Sequence, residues 1–282
     1  MKLLRYFYVT IVAVFALIGV IFTGVFFAMQ FGLLHVRGSI AERNGFFGTA
    51  TLPSAGTVPA CRDTAKSKCL WSTTPEWEVI QVGLTKDQAI IKDVSVKTGV
   101  PMRLIAAAAV PEQIRFFTAE REVFKRYFEP LKILGSLSQF SLGVSGIKQE
   151  TANKIELYAA STTSPFYPGG GSSGLIVYEG GEAHDSALYN RLTDPKNHYY
   201  SYLYTALFIK EIEAQWAQAG FDISNNPGAI VTLFNVGFSA SHPNSAPRVA
   251  GSIITTGGVD YAYGELGGDF YASGELTDIF PK

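Results

Sequence analysis

Charge is scarce in this chain of 282 residues: 17% of its side chains are Asp, Glu, Lys or Arg, and their formal sum at neutral pH is -1. That balance builds no basic field of the kind that attracts a phosphate backbone, so nucleic acid is not an expected partner. Cysteine is scarcer still, with two in the chain. Cys61 and Cys69 bracket a polar loop and read as a disulfide of an oxidising compartment, against the plainer alternative of two unpaired thiols. No histidine stands near them to complete a tetrahedral zinc set. His184, His198 and His242 are scattered without ligand spacing and read as structural or surface residues, so neither metal nor cofactor is expected. The run Gly169-Gly170-Gly171-Ser172-Ser173-Gly174 lacks the Gly-Lys-Ser/Thr of a phosphate cradle and reads as a loop. No internal repeat is present.

The most telling absence is at the N-terminus, where residues 6–34 carry no charge and only Thr10, Thr23 and Gln30 interrupt a run of Val, Ile, Phe, Leu and Ala. A bilayer core about 30 Å thick needs roughly 20 helical residues, so this stretch is long enough to span one. Lys2 and Arg5 precede it, as they would in a secretory signal. A signal's apolar core is shorter, about 7 to 15 residues, and Phe26-Phe27-Ala28-Met29-Gln30-Phe31 offers no small-x-small cleavage site. The reading is an uncleaved anchor over residues 1–36. Lys2, Arg5 and the amino terminus favour an inside N-terminus, which leaves the rest of the chain outside the cytoplasm.

Residues 37–75 are rich in Gly, Thr, Ser, Pro and Ala and read as a tether holding the cysteine pair. Residues 76–282 are long enough for one domain with its own core. Thr85-Lys86-Asp87-Gln88 predicts a helix start, carried on by Ala89, Ile90, Val94 and Val96 and stopped by Gly99. Pro101 opens a second helix whose body, Leu104, Ile105, Ala106 to Ala109 and Val110, must be buried on most sides; it turns polar at Pro111-Glu112-Gln113. Further helices are expected over 119–134, from Gln149 through Tyr158, over 197–220 and over 227–236, with a loop over 161–181. The tail 251–282 is unassigned; its Tyr261, Tyr263, Phe270 and Tyr271 are read as core packing in preference to sugar stacking. The domain is mainly α.

Three segments, taken in order, resemble the lysozyme-like lytic transglycosylases that cut peptidoglycan glycan strands. Gly99-Val100-Pro101-Met102-Arg103-Leu104-Ile105-Ala106-Ala107-Ala108-Ala109-Val110-Pro111-Glu112-Gln113 looks like that family's catalytic helix with its terminal glutamate. Ser141-Leu142-Gly143-Val144-Ser145-Gly146-Ile147-Lys148-Gln149-Glu150-Thr151-Ala152 is similar to the Gly-rich stretch that lines its cleft. Thr232-Leu233-Phe234-Asn235-Val236-Gly237, following Asp194-Pro195 and a helix, resembles the Ala-Tyr-Asn-x-Gly signature. The match spans about half the chain. It departs from the family in having Gln113 for serine, Lys148-Gln149 for Met-Gln, and Phe234 for the tyrosine whose hydroxyl would orient the glutamate; Tyr263 and Tyr271 are the available substitutes.

The resemblance implies a lysozyme-like helical domain with Glu112 as catalytic acid and then base. It implies Gln113, Ser141, Gly143, Gly146, Ile147, Phe234 and Asn235 along the glycan, with Asn235 placing its amide beside the glutamate. One carboxyl protonated inside an apolar wall meets the need of that reaction, because the sugar's acetamido group assists and the product is a 1,6-anhydro ring. A hydrolase would add a second acid, for which Glu150, Asp185 and Asp194 are available. The expected function is therefore a single-pass inner-membrane peptidoglycan lytic transglycosylase with its domain on the periplasmic side. The alternatives are a glycan-binding scaffold without turnover and a muramidase.

Overall fold

Thr74 starts the first helix: its hydroxyl accepts from the Trp77 backbone N–H at 3.4 Å, Pro75 takes the first position, and Glu76 and Glu78 sit where the helix dipole favours acids. The computed structural model describes residues 69–118, 141–178, 180, 183–194 and 196–282, with residues 6, 15, 16 and 18–20 nearer the N-terminus. The chain divides into two compact units, Met1–Pro53 and Ser54–Lys282. The described residues of the first are helical. Among the described residues no helix is long and apolar enough to cross a membrane; the uncharged run over 6–34 lies largely outside them, as do Cys61 and the helix expected over 119–134. Cys69 is described and buried.

In the second unit the elements run α1 (Pro75–Lys86), α2 (Gln88–Thr98), α3 (Met102–Thr118), a short antiparallel hairpin β1 (Ser141–Leu142) and β2 (Ile147–Lys148), α4 (Gln149–Ala160), α5 (His184–Thr193), α6 (Tyr199–Gln218), α7 (Pro227–Val236), a second hairpin β3 (Ile253–Thr256) and β4 (Val259–Ala262), and α8 (Tyr263–Ala272). The described chain is mainly α, as expected. Thr85 and Lys86 close α1 instead of opening α2, and Asp87 alone separates the two. The reason is tertiary. The Asp87 carboxylate accepts from His198 Nδ1 at 2.6 Å and from the Tyr202 hydroxyl at 2.9 Å, which joins the α1–α2 corner to the start of α6.

Helix α3 is the centre of the packing and meets α1, α2, α6, α7, α8 and β3. Its apolar body from Leu104 to Val110 is buried on all sides. The polar step at Pro111 does not end it; the helix continues to Thr118. Pro111 has no N–H for the Ala107 carbonyl. Helix α8 covers that gap: a Cβ on Gly267 would stand 2.7 Å from Ala107 O and 2.6 Å from Val231 Cγ1, so glycine lets α8 approach both α3 and α7 closely.

The tail, unassigned from sequence, is tied to the opposite end of α3. The side chain of Arg103 is fully buried and donates to the carbonyls of Phe270, Tyr271, Ser273, Glu275 and Phe280 at 2.7, 2.7, 2.8, 3.0 and 2.9 Å. The Glu275 carboxylate accepts from Trp77 Nε1 at 3.2 Å and Gln81 Nε2 at 3.0 Å, which fastens α1 to the same knot. Tyr261, Tyr263 and Phe270 are core residues, as the packing reading predicts. The loop after α4 is held by Glu156, which accepts from the Tyr178 and Tyr204 hydroxyls and meets His184 Nε2 at 2.7 Å. Burial first, then that carboxylate, pushes the Tyr178 phenol up to about 12.

Two predictions follow from these buried polar groups. Replacing Arg103 by Met takes its donors from all five carbonyls, of which, among the described residues, Phe270 alone keeps others, from Ser273, and is expected to cost on the order of 4 kcal/mol in denaturant unfolding of the purified protein. Glu211 on α6 is fully buried with neither carboxyl oxygen hydrogen-bonded, and burial pushes its carboxyl up to about 10 from the ordinary 4.5. The unfolded chain releases this proton near the lower value and the folded chain near the higher. Stability from this site is therefore greatest in acid and falls by about 1.4 kcal/mol per pH unit between the two. The Glu211→Gln variant is expected to lose that slope, measured as the wild-type-minus-variant difference in unfolding free energy at several pH values.

Candidate functional site

Glu112 sits in the last turns of α3, one position past Pro111, with 8% of its surface exposed. The β1–β2 hairpin is built against it. Its turn carries Gly143 and Gly146 at φ +67° and +65°, a backbone region that costs other L-residues about 1–2 kcal/mol. A Cβ on Gly146 would collide with the Glu112 carboxyl group, so glycine here lets the turn's backbone lie directly on the acid. A Cβ on Gly143 would collide with the Leu192 carbonyl and reach 2.5 Å from the Ser201 hydroxyl, so the other end of the turn is wedged against α5 and α6. Gln113 Nε2 donates to the Val144 carbonyl and stitches α3 to the middle of the same turn. Ser141 and Ile147 belong to the strands that present the turn, with Leu142 paired to Ile147 and Ser141 to Lys148; Ile147 is buried. The structure thus brings Glu112, Gln113, Gly143 and Gly146 together.

Asn235 is placed differently from the expectation. Asn235 makes no hydrogen bond to Glu112 among the described residues. Its Oδ1 accepts from the Ser252 N–H at 2.9 Å and the Ser252 hydroxyl at 3.2 Å. The Ser252 hydroxyl in turn accepts from Arg115 Nη1 at 3.3 Å, and Arg115 Nη2 donates to Glu112 Oε2. The asparagine thus reaches the glutamate through a serine and an arginine, and the acid stands against a cation and not only against the apolar wall expected of it. Phe234 packs edge-on against the core ring of Phe208 at 5.2 Å.

Of the two tyrosines available as substitutes, Tyr271 lends its carbonyl to Arg103 at the far end of α3, about 13 Å along the helix from Glu112 at about 1.5 Å per residue. Tyr263 is fully buried beside the site, but its hydroxyl donates to the Ala108 carbonyl at 3.1 Å and not to the acid. Burial holds that phenol well above its ordinary value; the Glu112 charge adds to the effect and the Arg115 charge opposes it.

A cavity of about 320 Å³ opens on the Gly143 side of the turn, walled by Val79, Leu84, Phe116 and Val144, with Asp87 and His198 among its polar groups. Of the acids available for a second carboxylate, Glu150 pairs with Lys154 at 2.6 Å and Asp185 lies 3.4 Å from His184, while Asp194 accepts from the backbone N–H groups of Lys196 and Asn197 at 2.8 and 3.1 Å and lines this cavity. Among the described residues no group of His, Cys, Asp or Glu is placed to hold a metal ion.

Neither Arg115 nor Ser252 belongs to a motif in the sequence. The signal for Arg115 is its i+3 spacing from Glu112, visible once α3 is carried beyond Gln113. Ser252 has none, because only the fold sets it against Asn235. No family model matches the chain, and no curated protein or solved structure matches it.

The Gly146 contact is directly testable. Gly146→Ala combines a collision with Glu112 and an unfavourable backbone angle, and is expected to lower stability by about 1–2 kcal/mol or more in thermal or urea unfolding. Ala at Gly170, which has open space around its Cα and no positive φ, is expected to be neutral in the same assay.

Proposed function

We propose that this chain is a membrane-anchored, lysozyme-like lytic transglycosylase that cuts peptidoglycan between N-acetylmuramic acid and N-acetylglucosamine, with Glu112 as its one catalytic carboxyl. The observation that carries this reading is the seating of a buried glutamate on the Gly146 backbone just past the apolar body of α3. Two of the three motifs meet there, through Glu112 with Gly146 and Gln113 with Val144.

In the proposed reaction the Glu112 carboxylic acid gives its proton to the glycosidic oxygen as the bond from that oxygen to C1 breaks, and the acetamido oxygen of the same sugar closes onto C1. The Glu112 carboxylate then takes the proton of the C6 hydroxyl while O6 bonds to C1 and the acetamido oxygen leaves. Water takes no part, and Glu112 regains its proton. Hydrolysis uses a second carboxylate about 5–10 Å from the first, and Asp194, which lines the cavity beside Gln113 and Gly143, is the acid on that side of the turn; an anhydro or an ordinary reducing end on the product separates the two routes. The uncharged N-terminal run supports an anchor that keeps the domain against the inner membrane, on the side where peptidoglycan lies.

A second reading draws on Phe234. With a half-buried phenylalanine at 234 and no tyrosine hydroxyl on Glu112 among the described residues, the same site would hold glycan without cutting it. Glu112→Gln separates the two. The transglycosylase reading predicts that purified wild-type protein releases anhydro-muropeptides from sacculi and that the variant, folded at the assay temperature by circular dichroism though less stable for losing the Arg115 pair, releases less than about one-hundredth as much. The scaffold reading predicts that both proteins pellet with sacculi and neither releases product.

A further inference from the structure

Glu112 does not stand alone in its pocket. Arg115, one helical turn further on, places Nη2 on Glu112 Oε2, and the side chains of the pair keep only 17% and 11% of their exposure. The guanidinium is itself gripped by other elements. Nη1 donates to the Ser252 hydroxyl at 3.3 Å just before β3, and Ser252 is fixed by two hydrogen bonds to Asn235 on α7. The Tyr263 ring at the start of α8 lies 5.7 Å from the guanidinium carbon. Gly251 is part of the same construction, because a Cβ there would stand 2.9 Å from both Asn235 Oδ1 and Tyr263 Cβ. A surface arginine that merely screens an acid is not held in this way. Its long side chain would spend its rotamer entropy in water, and an exposed pair is worth about 1 kcal/mol at most.

We infer that Arg115 is the positioning residue of this site, doing for Glu112 what a tyrosine hydroxyl cannot do where Phe234 stands. The inference rests on the glycan-cleaving reading and deepens it. Arg115 fixes Oε2, and with the Gly146 backbone against the other oxygen it sets the plane of the carboxyl. It also acts between the two proton transfers. Once Glu112 has given its proton to the leaving oxygen, a bare carboxylate is left in a largely dry pocket beside the buried phenol of Tyr263. The guanidinium compensates that charge until the C6 proton arrives. Arg115 stays protonated throughout, so the balance of the reaction is unchanged. Asn235 enters the mechanism as the anchor of Ser252, which holds Arg115, and not by touching the acid.

The test uses the full-length protein in detergent with purified uncrosslinked glycan strands, and compares wild type, Arg115→Ala, Arg115→Lys and Ser252→Ala. Arg115→Ala is expected to lower kcat about 100-fold with KM within about twofold, the size found for removal of one charge-stabilising donor. Arg115→Lys is expected to retain more activity than Ala, and Ser252→Ala to lose less than about tenfold. Guanidinium at tens of millimolar is expected to restore Arg115→Ala at least tenfold and to leave wild type and Glu112→Gln unaffected.

Wild-type kcat in Arg115→Ala overturns the proposal and leaves the glycan-cleaving reading standing. So does a loss that guanidinium does not rescue and that follows a lowered unfolding midpoint, because that is the signature of a merely structural arginine. Absence of product from wild type overturns that reading and this proposal together.

Discussion

The burial of Arg103 among main-chain carbonyls is the constraint on which the rest of the molecule depends. An arginine taken out of water must have its N–H groups satisfied, and no carboxylate does this here; five carbonyls at the end of α8 and in the segment after it do. Those carbonyls include ones that the C-terminus of α8 leaves without helical partners, so one side chain completes two otherwise costly inventories. The tail is thereby fixed to the start of α3. Because α8 is fixed at its C-terminal end, Tyr263 at its other end is held against Ala108, and the hairpin before it carries Ser252 to Asn235 and Arg115. The order around Glu112 is thus set partly by a polar knot at the far end of the same helix.

Much of the framework is legible in the residues. The spacing of Tyr200, Leu203, Leu207, Ile212 and Trp216 marks α6, Asn226-Pro227 marks the start of α7, and the uninterrupted apolar body of α3 announces a helix buried all round. Where reading fails, a tertiary contact has overridden a local signal. Thr85 looks like a cap, yet Asp87 is claimed by His198 and Tyr202, and the Thr74-Pro75 start upstream is the stronger one. Pro111 looks like a stop, yet α8 closes over the carbonyl that the proline leaves, and the helix runs on to Thr118. Helix α5 carries only three buried residues, Ala187, Leu188 and Leu192, too short an apolar stripe to stand out in a polar stretch.

The same division holds at the candidate site. Gly143 and Gly146 are found by motif, and their left-handed backbone with no room for a Cβ gives the motif its physical reason. The wiring of Asn235 is not readable from the sequence, since it depends on where the tail returns. Phe234 offers no hydroxyl to the acid: its half-buried ring packs edge-on against Phe208, and the polar contact to Glu112 comes from α3 itself, through Arg115. A site with one carboxyl, one guanidinium and a turn of bare backbone is chemically spare. It suits a reaction in which the substrate supplies its own nucleophiles.

That spareness is the central claim, and the product discloses it most directly. Sacculi digested with the wild-type protein in oxygen-labelled water and analysed by mass are predicted to yield fragments one water lighter than hydrolysis products, with no label at the new sugar terminus. A labelled reducing end, or no fragment at all, would contradict the account.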